Sequence, residues 1–149
     1  IVGAEYGTGK RAGWLSSFIL ACKGKNEFFE VGRVGTGIKE KIELGVSFIE
    51  LTKLLKPLII ESKGRDVKIK PKIVVSVVYQ EIQKSPTYSS GYALRFPRVT
   101  VLRNDKPLSE ITTLEDIEKE YQIPLKYKIQ RVNDFIINYY LFSADKKIF

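Results

Sequence analysis

The sequence has no histidine, no methionine and one cysteine among its 149 residues. Without histidine, Ser-His and Cys-His chemistry is excluded within this chain, and one cysteine supports neither a disulfide framework nor a zinc cluster. Any catalysis here must use Lys, Arg, Asp, Glu, Ser or Tyr. The missing methionine, with an opening Ile1-Val2, points to a piece of a longer translation product. No stretch is apolar for long enough to cross a bilayer, and the first residues include Glu5 and a glycine-rich turn where a signal peptide would be apolar. The expectation is a cytoplasmic, intracellular protein whose Cys22 is a reduced thiol filling space in an apolar run.

Acidic residues are also in short supply. Seventeen Asp and Glu stand against 25 Lys and Arg, for a formal charge of +8 and a pI near 9.5, which favours polyanionic partners. The excess is not simply a tail, because the residues from Leu125 onward hold five Lys/Arg against two Asp. With 44% hydrophobic and 28% charged residues, the chain has the profile of one domain with a real core.

Hydrophobic periodicity organises that domain. Trp14 to Cys22 reads as a strand buried on both faces, and Lys23-Gly24-Lys25-Asn26 turns it into a second strand over Phe28 to Val34. Leu44, Phe48, Leu51 and Leu55 recur at helical spacing, predicting one amphipathic helix from Lys39 to Leu55, ended by Pro57. Pro57 to Ile60 and Val67 to Ile69 read as short strands around a tight turn. Ile73 to Ile82 reads as one β-branched strand and Leu94 to Leu102 as another, with Pro97 at an edge or bulge. Between them lies a loop from Gln83 to Ala93. Thr113 is placed to cap a helix over Leu114 to Tyr121, and a further helical stretch surrounds Ile129, Val132, Ile136 and Tyr139. The reading is a small, mainly β domain dominated by an antiparallel sheet, with one inter-strand helix and C-terminal helices; five or six such strands commonly close into a barrel.

Two segments invite chemistry. The opening GAEYGTGKRAGW has the glycines of a phosphate-binding loop, but Lys10 is followed by Arg11 where Ser or Thr is needed, Ala4 stands where the first glycine should be, and a strand follows. What remains is a basic turn carrying Lys10 and Arg11, suited either to a phosphate backbone or to solvent. The segment Ser85 to Lys106 interleaves Tyr88, Tyr92 and Phe96 with Arg95, Arg98, Arg103 and Lys106 and with Ser85, Ser89 and Ser90, a mixture suited to phosphates and the minor groove. By the general tendency of phenylalanine to be buried, Phe96 reads as core ahead of wedge.

Taken together, GAEYGTGKRAGWLSSFILAC, VGRVGTG, YQEIQKSPTYSSGYALRFPRVTVLRNDKP and LEDIEKEY resemble, in order and spacing, the C-terminal OB-fold domain of ATP-dependent DNA ligases of the archaeal and eukaryotic replicative type. The resemblance covers Ile1 to Gln122, and LRFPRV followed by LRNDK is similar to nucleotidyltransferase motif VI. It implies an enzyme that seals nicks in duplex DNA, with ATP and Mg²⁺ bound mainly by an upstream nucleotidyltransferase domain and with a DNA-binding domain further upstream. The adenylated lysine of a K-x-D-G motif would lie upstream, so the fragment alone would be inactive.

Residue by residue, the resemblance assigns Arg103 and Lys106 to the ATP triphosphate, with Asp105 holding the motif's geometry. It places Lys10, Arg11, Ser85, Tyr88, Ser89, Arg95, Phe96 and Arg98 at nicked DNA, gripped from the minor-groove side. No metal ligands are assigned. Two departures stand out: Ser76 where relatives usually carry Glu, and Ile38 where they carry Phe. The tail from 123 to 149 does not resemble the family ending and is read as a helical addition that packs on the barrel or on other domains. A sliding clamp is a further candidate partner, although no glutamine-led clamp-binding box occurs. The competing reading is a stand-alone OB module for single-stranded nucleic acid.

Overall fold

A computed structural model describes residues 1–35, 38, 46–122 and 148–149. Its largest element is a five-stranded antiparallel sheet of β1 (Gly3–Tyr6), β2 (Leu15–Lys23), β3 (Phe28–Val34), β4 (Ile59–Lys63) and β5 (Asp66–Ile69), ordered β3-β2-β1-β5-β4. Alternation along β2 sends Phe18, Leu20 and Cys22 into the core, while Ser17 and Ile19 on the other face are half-buried. β2 is therefore less covered on its outer side than the apolar run suggested. A bulge between Leu20 and Ala21 shifts its register against β3. Cys22 is buried as expected: burial pushes its thiol up to about 11, and Sγ donates to the Phe29 carbonyl.

The inter-strand helix α1 runs over Phe48–Leu55. Ser47 is extended and its hydroxyl accepts from the Glu50 N–H at 3.0 Å, so a cap stands where the periodicity predicted helix interior. The predicted start at Lys39 lies outside the described residues. Phe48, Leu51, Thr52 and Leu55 face inward, and Thr52 Oγ1 accepts from the Leu15 N–H at 2.9 Å, tying helix to sheet. Lys56–Leu58 form a single 3-10 turn around Pro57, and strand pairing begins at Ile59.

The strand read from Ile73 to Ile82 is two strands. β6 (Val75–Val78) and β7 (Glu81–Lys84) part at Tyr79-Gln80 and enter different two-stranded sheets. The strand read from Leu94 to Leu102 breaks in the same way at Phe96-Pro97, into β8 (Tyr92–Arg95) and β9 (Arg98–Leu102). β6 pairs with β9 and β7 with β8, so both extended runs change sheet at matched points. The loop between β7 and β8 is accordingly shorter than expected.

α2 (Leu114–Tyr121) begins as predicted, with a reciprocal capping box between Thr113 and Asp116. It packs on β7, and Tyr92 meets Tyr121 with ring centroids 5.3 Å apart. The Tyr79 hydroxyl donates to Glu120 Oε1 at 2.9 Å; burial, then the adjacent carboxylate, push the Tyr79 phenol strongly upward. The second helical stretch expected after Gln122 lies outside the described residues. Ile148 and Phe149 are extended, not helical: Ile148 bridges Ser76, Phe149 and Val75 exchange backbone hydrogen bonds of 2.8–2.9 Å, and the Phe149 side chain is buried. One hydrophobic cluster joins all these elements, as the mainly β OB-fold reading requires.

Candidate functional site

The glycine-rich opening folds into a 3-10 turn, Gly9–Arg11, followed directly by β2, so no helix N-terminus follows it. Gly13 sits at φ 84°, a conformation an L side chain resists. Lys10 is exposed, whereas the Arg11 guanidinium stacks 4.3 Å from the ring centroid of buried Phe48 and so closes the core. A shallow cleft of about 300 Å³ beside this turn is lined in part by Gly13, Trp14, Thr52, Lys53 and Lys56. The last two cations were not singled out from sequence; their only signal there is a three-residue spacing on the exposed face of a helix.

In the β7–β8 loop the hydroxyls build the loop itself. Ser85 Oγ accepts from the Thr87 N–H at 3.2 Å, and Ser89 Oγ accepts from the Glu30 N–H at 2.8 Å, attaching the loop to β3. Tyr88 is half-buried and its carbonyl accepts from the Gly91 N–H. Gly91, at φ 80°, completes the turn.

The break between β8 and β9 puts Phe96 in view. Its φ is 51°, it alone among described non-glycine residues has a positive φ, and it is 71% exposed. The strand alternation that would have buried it does not continue through this point. Arg95 stacks 5.1 Å from its ring centroid and also pairs with Glu81 at 3.1 Å, across the strand, while Arg98 is exposed two residues on. An aromatic ring held outward by strained backbone between two cations is suited to an anionic surface with an apolar groove.

At the far end of β9, Arg103 gives Nε and Nη2 to the two carboxylate oxygens of Asp105, each at 3.0 Å, and Nη1 to Ser76 Oγ at 3.1 Å. The Arg103 side chain is 18% exposed and that of Asp105 63%, so the fork opens to solvent through the carboxylate. Hydrogen bonding from Arg103 holds the Asp105 carboxyl below its usual range. The Lys106 N–H donates to the Arg103 carbonyl, and Lys106 Nζ lies 3.4 Å from Glu110. Arg103, Asp105 and Lys106 thus share one turn, while Phe96 lies beyond the other end of the five-residue strand β9.

The model of the family described as "ATP dependent DNA ligase C terminal region" matches residues 11–106, which include both ends of β9. The chain belongs to that family. As a ligase C-terminal region it is 53% identical to the DNA ligase of Nanoarchaeum equitans over 83% of this chain and 22% of that protein. It is 46% identical to the ligase of Thermococcus fumicolans over 88% of this chain and 48% identical to that of Archaeoglobus fulgidus over 87%, covering 23% of each. The chain therefore spans less than a quarter of these relatives' length. A solved structure, the ligase domain of M. tuberculosis LigD, superposes with a TM-score of 0.59 at 26% identity, covering 74% of this chain and 35% of that one. No described helix of this ligase region is long and apolar enough to cross a membrane.

Proposed function

We propose that this chain is the part of an ATP-dependent DNA ligase that assists self-adenylation at one end of β9 and grips nicked duplex DNA at the other. In this reading residues 1–122 form the OB domain and 123–149 an appended tail, of which Phe149 returns to the core. The partners are nicked double-stranded DNA, the upstream nucleotidyltransferase and DNA-binding domains, and, as a further candidate, a sliding clamp. The setting is intracellular, at DNA.

ATP is a substrate of the whole enzyme. The residues present fit its triphosphate, since Arg103 already grips an oxyanion through two parallel N–H bonds, the geometry by which guanidinium binds phosphate. Lys106 adds a second positive charge on the same turn. ATP would supply the adenylyl group, with pyrophosphate leaving as its α–β bond breaks, and Arg103 and Lys106 would supply positive potential at the β and γ phosphates. Asp105 holds the guanidinium plane. Mg²⁺ belongs in this reading mainly to the upstream nucleotidyltransferase domain; among the described residues no group of three or more His, Cys, Asp or Glu side chains is placed to hold a metal ion. The attacking lysine belongs upstream, and the chain by itself forms no covalent adenylate.

The observation that carries the DNA-gripping half is the outward Phe96 between Arg95 and Arg98. The five-residue strand β9, about 16 Å when extended, separates it from Arg103, so in this reading the two ends serve different ligands. Lys10, Ser85, Tyr88 and Ser89 lie on turns of the same domain; Arg11 and Ser89 contribute through the turns they brace. In the whole ligase, Phe96→Ala should weaken nicked-duplex binding by a few kcal/mol, on the order of a lost apolar wedge, while self-adenylation and the melting temperature hold. Unchanged binding in that variant would remove Phe96 from the interface.

A further inference from the structure

The turn Gly9–Arg11 and helix α1 border a cleft that the proposed function leaves unused. Two contacts fix its walls: the Arg11 guanidinium stacks 4.3 Å from the Phe48 ring centroid, and Thr52 Oγ1 accepts from the Leu15 N–H at 2.9 Å while donating to the Phe48 carbonyl at 2.6 Å. The lining of this cleft, about 300 Å³ in volume, combines the apolar surfaces of Trp14 and Ile49 with Lys53 and Lys56 and includes no carboxylate. A side chain added at Gly13 would meet nothing within 4 Å, so the cleft is open on that side.

Its charge sets it apart from two larger clefts. One of about 620 Å³ at the other end of β2 places Lys23 and Lys25 with Glu27, Glu115 and Glu118, and one of about 430 Å³ beside the large sheet places Arg33, Lys63 and Lys68 with Glu30, Glu61 and Asp66. In both, carboxylates balance the cations. Lys53 and Lys56 are exposed, and among the described residues neither makes an ion pair. The negative end of the α1 dipole favours cations here. Two lysines three residues apart on one face nevertheless repel each other, and no described carboxylate relieves them. An anion from outside the chain does.

We propose that this cleft is a second contact for nicked duplex DNA, in which Lys53 and Lys56 hold the phosphate backbone while Trp14 lies against the sugars. The proposal rests on the reading of this chain as a DNA-gripping ligase region, and it adds a patch separate from the presented ring of Phe96. The cleft is shallow and at the small end of the range for ligand pockets, so it suits a passing backbone better than an enclosed nucleotide. Lysines are flexible point charges that follow phosphates without reading bases. Lys10, exposed on the turn that leads into Gly13, extends the same positive surface.

The test is the salt dependence of nicked-duplex binding by the whole ligase and by three variants: Lys53→Gln/Lys56→Gln, Lys23→Gln/Lys25→Gln and Phe96→Ala. Each phosphate contact releases counterions and contributes about 0.9 to the slope of log affinity against log salt. Losing Lys53 and Lys56 should flatten that slope by about 0.9 to 1.8 and weaken binding to all sequences alike. The Lys23/Lys25 variant, with the same change in formal charge, should keep the wild-type slope. An unchanged slope in Lys53→Gln/Lys56→Gln, beside weakened binding in Phe96→Ala, overturns the cleft contact alone. Equal flattening by both lysine pairs also overturns it, because bulk charge then suffices. Slower self-adenylation with an unchanged slope gives the cleft to a neighbouring domain instead and overturns the DNA contact. If neither the Lys53/Lys56 variant nor Phe96→Ala alters binding, the DNA-gripping reading itself falls.

Discussion

Two arginine-phenylalanine pairs show how the same chemistry serves opposite ends. Arg11 stacks on Phe48, and Arg95 stacks on Phe96. In the first pair the ring is fully buried at the start of α1 and the guanidinium covers it, so the cation is a lid on the core. In the second, the ring stands in solvent at a positive φ and the cation lies beside it. Residue types do not separate these roles. The backbone does: Phe48 follows a capping serine into a helix, whereas Phe96 precedes a proline at a break between sheets.

The sharpest way to break this comparison is to remove the rings. Phe48→Ala should destabilise the domain by about 3–5 kcal/mol, the usual loss for a buried phenylalanine, read by denaturant unfolding. Should Phe48→Ala unfold no more easily than Phe96→Ala, the contrast between lid and presented ring is wrong.

At the end of β9 away from Phe96, Arg103→Ala and Lys106→Ala in the whole ligase should each slow self-adenylation by roughly 10²–10³-fold, as for other preorganised electrostatic contacts. Joining of a pre-adenylated nick should stay near wild type, because it needs no pyrophosphate departure. Equal loss in both steps would return these residues to folding or DNA contact.

The sequence was most readable where local signals agree. The β2–β3 pair, the Thr113 cap and the outward charge of Lys10 followed from alternation, spacing and residue type. Two strand breaks did not. Ile73 to Ile82 is β-branched nearly throughout, and only the sheet that each half joins shows why it bends at Tyr79-Gln80. Pro97 announced an irregularity, but the burial tendency of phenylalanine argued for the wrong side at Phe96. Arg103 was singled out for the triphosphate by motif resemblance alone, while its fork with Asp105 and its bond to Ser76 depend on a turn and a strand brought together across the fold. Ser76 carried a weak signal as the lone hydroxyl in a valine run.

The finest test of the comparison concerns the backbone under Phe96. An L residue at φ 51° bears a cost of roughly 1–2 kcal/mol that glycine does not. In an ordinary strand, glycine is worse than alanine by about 0.5–1 kcal/mol, through the freedom it loses on folding. These opposing effects predict a reversal of order. At position 96, Gly should be about as stable as Ala or better by up to about 1.5 kcal/mol. At Thr100, an exposed position within β9, Gly should be the less stable of the two. Both pairs remove their side chain down to the same difference of one methyl, so the lost ring cancels from the comparison at 96. Thermal or urea unfolding of the four variants reads it directly. If alanine exceeds glycine by the same margin at both sites, Phe96 is not held in a left-handed conformation, and the backbone device that presents the ring has to be abandoned.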